Sequence, residues 1–313
     1  MENIRNSLNG YALDAELKNV PIGFVNALRR ICLTELPVVF MSNIEILDNN
    51  SQLTHEMIHH RVEMLPIDVR PEETGILRDT KIELRFLPSP DPREVTSDDF
   101  VVQGPRRDIV LKDRDLGTPH FFMNLKANES LHIKASLSIE PKGMSHVCVS
   151  TFSNHVDPVR ASIDKESWIS QGGDPREFDN FHYQRSYSRD ENGRPNHFDF
   201  RVESIGVVKA KDLVKQAVEL LKDKVVEWAK TPVQRQGDNW YVMETEGETY
   251  TLGQIAQEMI YSAGLVDFVS RDAGHPLVPK LTIRFQTKLQ PDAVVERFKQ
   301  EAVALCESVL KSV

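Results

Sequence analysis

One order of secondary-structure elements occurs twice along this chain, and that repetition limits the possible folds more than any single motif does. Near the C-terminus the order is a strand (WYVMETEG), a helix (TLGQIAQEMIYSA), two strands (LVDFVSRDA, PKLTIRFQTK) and a long helix from Pro291. Period-two alternation of apolar residues marks the strands, and a stripe at helical spacing marks the helices. The first part of the chain gives a strand (GYALDAELK), a helix (IGFVNALRRICLTEL) bounded by Pro21 and Pro37, and a strand (VVFMSNIEIL). If residues 65–196 are set aside as an insertion, a strand (HFDFRVESI) and a long helix (KDLVKQAVELLKDKVVEWAK) complete the same order. Two α/β halves of one kind in a single chain predict packing about a pseudo-two-fold axis. The long helices at 211–229 and 291–312 are candidates for part of that contact. The second carries Val294, Phe298, Ala302, Leu305 and Val309 at alternating steps of four and three, a seam for another helix. The first carries Leu213, Ala217, Leu220 and Leu221 on one stripe.

The predicted class is therefore α+β, with two related α/β halves in one chain forming a pseudo-dimer. The first half takes residues 1–67 and 197–231, the second residues 232–313, and the stretch VQRQGDN between them reads as a linker. Residues 68–196 form the insert. Their short alternating segments (KIELRFL, HFFMNLKA, LHIKASLSIE) and long polar turns predict a mostly β domain.

Composition narrows the function. Acidic residues outnumber basic ones 47 to 38, for a net charge of −9, whereas a phosphate backbone is gripped by Lys/Arg clusters. The basic pairs Arg29-Arg30 and Arg106-Arg107 lack interleaved aromatics, so any contact with DNA or RNA is expected only indirectly, through partners. No apolar run approaches a membrane span, and the opening MENIRNSLNG has no apolar signal segment. Cys32, Cys148 and Cys306 are odd in number and far apart, which fits a reducing compartment and buried apolar roles. The expectation is an intracellular protein without a membrane partner.

His55-Glu56-Met57-Ile58-His59 satisfies H-E-x-x-H, the zinc metalloprotease pattern. A zincin needs two histidines one turn apart, a glutamate base and a third ligand. Here Ile58, Val62 and Leu65 form an apolar stripe between and beside the histidines, the helix is short, and no downstream spacing singles out a third ligand. The two rings are read as residues at the edge of a packing face, and no metal or cofactor is expected.

NALRRICLTELP (26–37) followed by HEMIHHRVEMLPI (55–67) resembles the signature of the α-like subunits of multisubunit RNA polymerases. That family includes bacterial α, the archaeal D protein and the third-largest subunit of eukaryotic polymerase II. Asn26, Leu28, Arg29 and Arg30 match its N-x-L-R-R helix. Glu56, His60, Arg61, Leu65 and Pro66 match its D/E-x-x-x-H-R-L-G-L-I-P stretch, with Glu63 where glycine is usual. FDFRVESIGVVKAKDLVKQAVELLKDKV (198–225) looks like the family's closing strand and helix. Thr251, Leu252, Gly253, His275, Pro276 and Thr287 resemble the small partner of that family, the archaeal L protein or the eleventh subunit of polymerase II, with Gln254 replacing asparagine. The resemblance covers residues 10–67 and 197–313.

The resemblance implies two dimerisation halves fused in one chain, a form found in large nucleocytoplasmic DNA viruses. A viral polymerase would work in the host cytoplasm or nucleus, with the virion as a further location. The implied role is a non-catalytic assembly platform that docks the two largest polymerase subunits, joined by small subunits. Arg29, Arg30, His60 and Arg61 are then expected at the large-subunit interface, and Phe24, Val25, Leu28, Ile31, Leu252, Ile255 and Met259 between the halves. Some relatives carry a four-cysteine zinc loop in the insert, where this chain has only Cys148. The alternatives are a zinc metallohydrolase using His55, Glu56 and His59, and a free-standing homodimeric adaptor.

Overall fold

The structure, a computed structural model, describes residues 1–140, 147–247, 250–275, 277–278 and 280–313. It is an α+β chain that divides into two compact units. The first comprises Met1–Cys32, Ser150–Val202 and Lys211–Val313; the second comprises Leu33–Val149 and Glu203–Ala210.

The first unit holds two sheets of identical topology. In one, β1 (Glu2–Ser7) and β2 (Ala12–Lys18) form a hairpin, and the order continues to β10 (His197–Ser204) and β9 (Cys148–Asn154). In the other, β11 (Gln234–Gly237) and β12 (Trp240–Glu246) form the hairpin, followed by β14 (Lys280–Gln286) and β13 (Phe268–Asp272). A helix follows each hairpin: α1 (Ile22–Thr34) after β2 and α7 (Tyr250–Ser262) after β12. A long helix follows each inner strand: α6 (Ala210–Trp228) after β10 and α8 (Pro291–Ser312) after β14. The repeat is therefore present, but its third strand in the first half is β9. The element order alone points to VVFMSNIEIL for that place; this stretch is β3 (Val38–Asn49) and pairs in another sheet. Between β9 and β10 the chain forms α4 (Pro158–Ser170), capped by the Asp157 carboxylate on the N–H groups of Val159 and Arg160, and the short α5 (Pro175–Glu177).

The second unit is built on an antiparallel sheet of order β3, β8 (Leu131–Glu140), β4 (Lys81–Phe86) and β6 (Val101–Gln103). An antiparallel pair, β5 (Arg93–Thr96) with β7 (Phe121–Leu125), and the helices α2 (His55–Glu63) and α3 (Thr74–Asp79) complete it. Ile58 and Val62 of α2 belong to the same buried cluster as Met41, Leu84, Phe122 and Ile133. The boundaries differ from the expected insert of 68–196. This unit starts at Leu33, and residues 150–196 belong to the first unit because β9 completes that unit's sheet.

The two long helices meet in the first unit. Trp228 of α6 and Phe298 of α8 stack edge to face at 5.3 Å, and the Lys222 ammonium donates to Glu307 Oε1 at 2.8 Å. Val294, Phe298, Ala302 and Val309 are buried as their spacing predicts, but Cys306 rather than Leu305 completes the buried stripe. Truncating Phe298 leaves a ring-sized cavity beside Trp228, so Phe298→Ala is expected to cost about 3–5 kcal/mol. Urea denaturation checks it: a loss below about 1 kcal/mol, the range of a surface change, would show that the ring is not part of a shared core.

Candidate interaction surfaces

Helices α1 and α7 run antiparallel against each other, because positions ascending along one pair with positions descending along the other. The Gly23 N–H donates to Glu258 Oε2 at 2.6 Å, the Asn26 amide to Gln254 Oε1 at 3.1 Å, and Arg30 Nε to Thr251 Oγ1 at 3.0 Å. Residues 23, 26 and 30 share one face of α1, as spacings of three and four require. The three contacts have two-fold character. Advancing each α1 residue by 228 positions, the separation of Asn26 and Gln254, converts Gly23 into Thr251 and Arg30 into Glu258. The outer two contacts thereby exchange, while Asn26–Gln254 maps onto itself and lies at the local axis. Such an exchange of contacts is what a two-fold interface requires.

Close approach depends on Gly23. A Cβ there would stand 2.5 Å from Glu258 Oε2 and 3.4 Å from the Ile255 Cα. The first N–H groups of a helix have no partner within it, and the Glu258 carboxylate caps α1 by accepting from Gly23 with Ile22 beside it. Phe24, Val25, Leu28 and Ile31 of α1, and Leu252, Ile255 and Met259 of α7, are all buried on the two helices that these hydrogen bonds join.

The family resemblance places Arg30 against a large partner, whereas the structure commits at least its Nε to Thr251 between the helices. Arg29 is half-buried, and its Nε and Nη2 bond the Asn26 side-chain oxygen at 3.1 and 3.0 Å, one turn back on the same helix. In the second unit His60 is exposed on α2, and Arg61 donates to the main-chain carbonyl of Phe122. Both line a groove of about 600 Å³ with Met64, Phe121 and Val149. Phe121 and Val149 are 55% and 57% exposed, so the groove carries accessible apolar surface beside a basic pair.

His55 and Glu56 are exposed and His59 is half-buried on the same helix. His59 Nδ1 lies 3.6 Å from Glu63 Oε1. Among the described residues, no group of three His, Cys, Asp or Glu ligand atoms forms around His55 and His59. Thr251, Leu252 and Gly253 are buried in α7, and the Thr287 hydroxyl donates to the Leu265 carbonyl at 2.7 Å. His275 is exposed, whereas Pro276 lies outside the described residues.

Residues 15–225 match the family model of the RNA polymerase Rpb3/Rpb11 dimerisation domain, and residues 241–312 match a second model of the same description. The chain belongs to the Rpb3/Rpb11 dimerisation family. It carries two such domains, as a fused α-like subunit does. It is 23% identical over 271 residues to the Dictyostelium discoideum DNA-directed RNA polymerase II subunit rpb3, covering 67% of this chain and 88% of that one. It is also 39% identical over 57 residues to the DNA-directed RNA polymerase subunit Rpo3 of Pyrobaculum aerophilum, 18% of this chain and 22% of the relative. The Thermococcus kodakarensis Rpo3 is 41% identical over 60 residues, 19% of this chain and 23% of that one. These archaeal matches thus span less than a quarter of those relatives. Among the described residues, no helix is long and apolar enough to cross a membrane.

Glu258 titrates in a way that reports on the pairing. Burial pushes its carboxyl above the ordinary value, against the weaker pull of the Gly23 N–H and the Arg194 charge. The folded state therefore holds this proton more tightly than the unfolded state. Glu258 should favour folding most at low pH, and that advantage is lost as pH rises through the raised pKa. Glu258→Gln keeps an acceptor for Gly23 without the charge. It is expected to match or exceed the parent at neutral pH and to lose that advantage in acid. Glu258→Ala strands the buried Gly23 N–H and is expected to cost about 1–3 kcal/mol. Urea denaturation across pH distinguishes the two variants; equal losses for Gln and Ala would rule out the capping role.

Proposed function

We propose that this chain is a non-catalytic assembly subunit of a multisubunit DNA-directed RNA polymerase, and that it presents a preformed platform to the two largest subunits. One observation carries the reading: two domains of one dimerisation family occupy a single chain, with α1 and α7 joined by a two-fold set of hydrogen bonds. A polymerase that uses such a chain receives the pair already assembled, without a bimolecular pairing step. DNA is reached only through the complex, as the net charge of −9 favours. The fused arrangement supports a viral polymerase working inside an infected cell, with small polymerase subunits as further partners.

For the outer contacts we assign Arg29, His60 and Arg61. The groove beside His60 and Arg61 combines exposed Phe121 and Val149 with basic side chains, a composition suited to a partner carrying an apolar anchor and carboxylates. Arg30 is the weaker candidate, since its Nε already serves the pairing of the helices.

The test is to purify the tagged chain gently from its native source and identify what accompanies it. Two chains several times its size, in equal stoichiometry, are expected. His60→Glu, at an exposed position, and Arg61→Glu should each weaken that association by about 2 kcal/mol or more, near thirty-fold, if they are central to the interface. Recovery of the chain without large partners would contradict the function. Unchanged recovery with both variants would contradict the residue assignment alone.

A further inference from the structure

Three side chains that no sequence spacing connects converge on the outer face of the β1-β2-β10-β9 sheet. Along β2 and β10, Ala15, Leu17, Phe198 and Phe200 are buried, while the alternating Glu16, His197 and Asp199 stand on the opposite face. His155 follows directly on β9, and its N–H donates to the His197 carbonyl at 2.9 Å, fixing the two residues side by side. Their imidazoles stack with centroids 3.9 Å apart, and His197 Nε2 lies 3.0 Å from Glu16 Oε2. One ligand atom each from Glu16, His155 and His197 falls within 4.8 Å of the others.

The surroundings orient each donor. His155 Nδ1 is held by Asp199 Oδ1 at 2.8 Å, which leaves Nε2 as its free ring nitrogen. A carboxylate bound to the far nitrogen of a histidine is the usual second partner of a metal-bound imidazole. Asn3 Nδ2 donates to Glu16 Oε1 at 2.8 Å, holding one carboxylate oxygen while the other points at His197. Bonds of about 2.0–2.2 Å in a tetrahedral zinc site place donor atoms roughly 3.3 Å apart. His197 Nε2 and Glu16 Oε2, 3.0 Å apart, already lie near that separation, and a ring nitrogen of His155 lies within 4.8 Å of both.

We propose that Glu16, His155 and His197 form a site for a divalent transition-metal ion of the zinc class, with a fourth position open to water or to a partner's side chain. The donor set of two imidazoles and one carboxylate, without thiolates, suits Zn²⁺ over Mg²⁺ or Ca²⁺, which prefer all-oxygen ligands. The ion would join β2, β10 and the end of β9, and would clamp the two ends of the segment 156–196 that carries α4. This differs from the expectation of a metal-free chain, and from both H-E-x-x-H on α2 and a four-cysteine loop in the insert.

The experiment uses the full chain, stripped with chelator and titrated with Co²⁺ and then Zn²⁺. One equivalent of Co²⁺ should give visible d–d bands without the thiolate charge-transfer band, since Cys32, Cys148 and Cys306 are buried. Zn²⁺ should displace it and raise the melting temperature. His197→Ala and Glu16→Gln should abolish the bands, and Asp199→Asn should weaken binding about ten- to a hundred-fold through the orienting hydrogen bond. The double variant His55→Ala, His59→Ala should bind as the parent does. Folding of each variant is checked by circular dichroism, and the mild Asp199→Asn keeps the test valid if His197→Ala fails to fold. No binding by the unsubstituted chain would overturn the site. So would binding that survives loss of both His155 and His197, or that disappears with His55 and His59.

Discussion

The first unit depends on how closely α1 and α7 approach. At Gly23 there is no side chain between the helices, and the main-chain N–H at the start of α1 finds its acceptor in Glu258 on the other helix. The same separation, read from the opposite end, pairs Arg30 with Thr251. Apolar residues on both helices supply the burial, but burial alone does not choose a register. The polar contacts do, because a buried donor left without an acceptor costs free energy that a sliding helix cannot recover.

These contacts also favour unlike partners. Pairing two copies of the first half in the same geometry would set the Arg30 guanidinium opposite the Gly23 N–H, donor against donor. Joining first half to second half gives each of those donors an acceptor, in the Glu258 carboxylate and the Thr251 hydroxyl. Specificity of this kind rests as much on what the wrong pairing loses as on what the right one gains. Covalent fusion then ensures that the preferred partner is always present at high effective concentration.

Much of this organisation is legible in the sequence. Period-two and helical stripes locate α1, α6, α7 and α8, and the Asn-x-Leu-Arg-Arg stretch points to the family without any knowledge of the fold. The elements that escape such reading share a physical reason. β1 and β11 are hairpin strands with almost entirely exposed side chains, so they have no buried face to leave an alternating pattern. α4 buries only Ala161, which gives little helical periodicity. The element order points to β3 as the third strand of the repeat, and tertiary pairing puts β9 there instead. The family resemblance reads Arg30 as a large-subunit contact, and its bond to Thr251 is visible only in the fold. The Glu16, His155 and His197 cluster comes from three remote positions and is visible only once the sheet has formed. The H-E-x-x-H stretch is the converse case: its two histidines share one helix by sequence spacing, and among the described residues no third donor stands beside them.

The claim that the dimerisation contact is satisfied inside one chain has a direct test in solution mass. Sedimentation equilibrium of the purified chain, over a wide range of dilution, should show a single species at 35.7 kDa. A stable species of twice that mass, dissociating on dilution, would mean that the two halves seek partners on separate chains and that the internal pairing described for α1 and α7 is not the solution state.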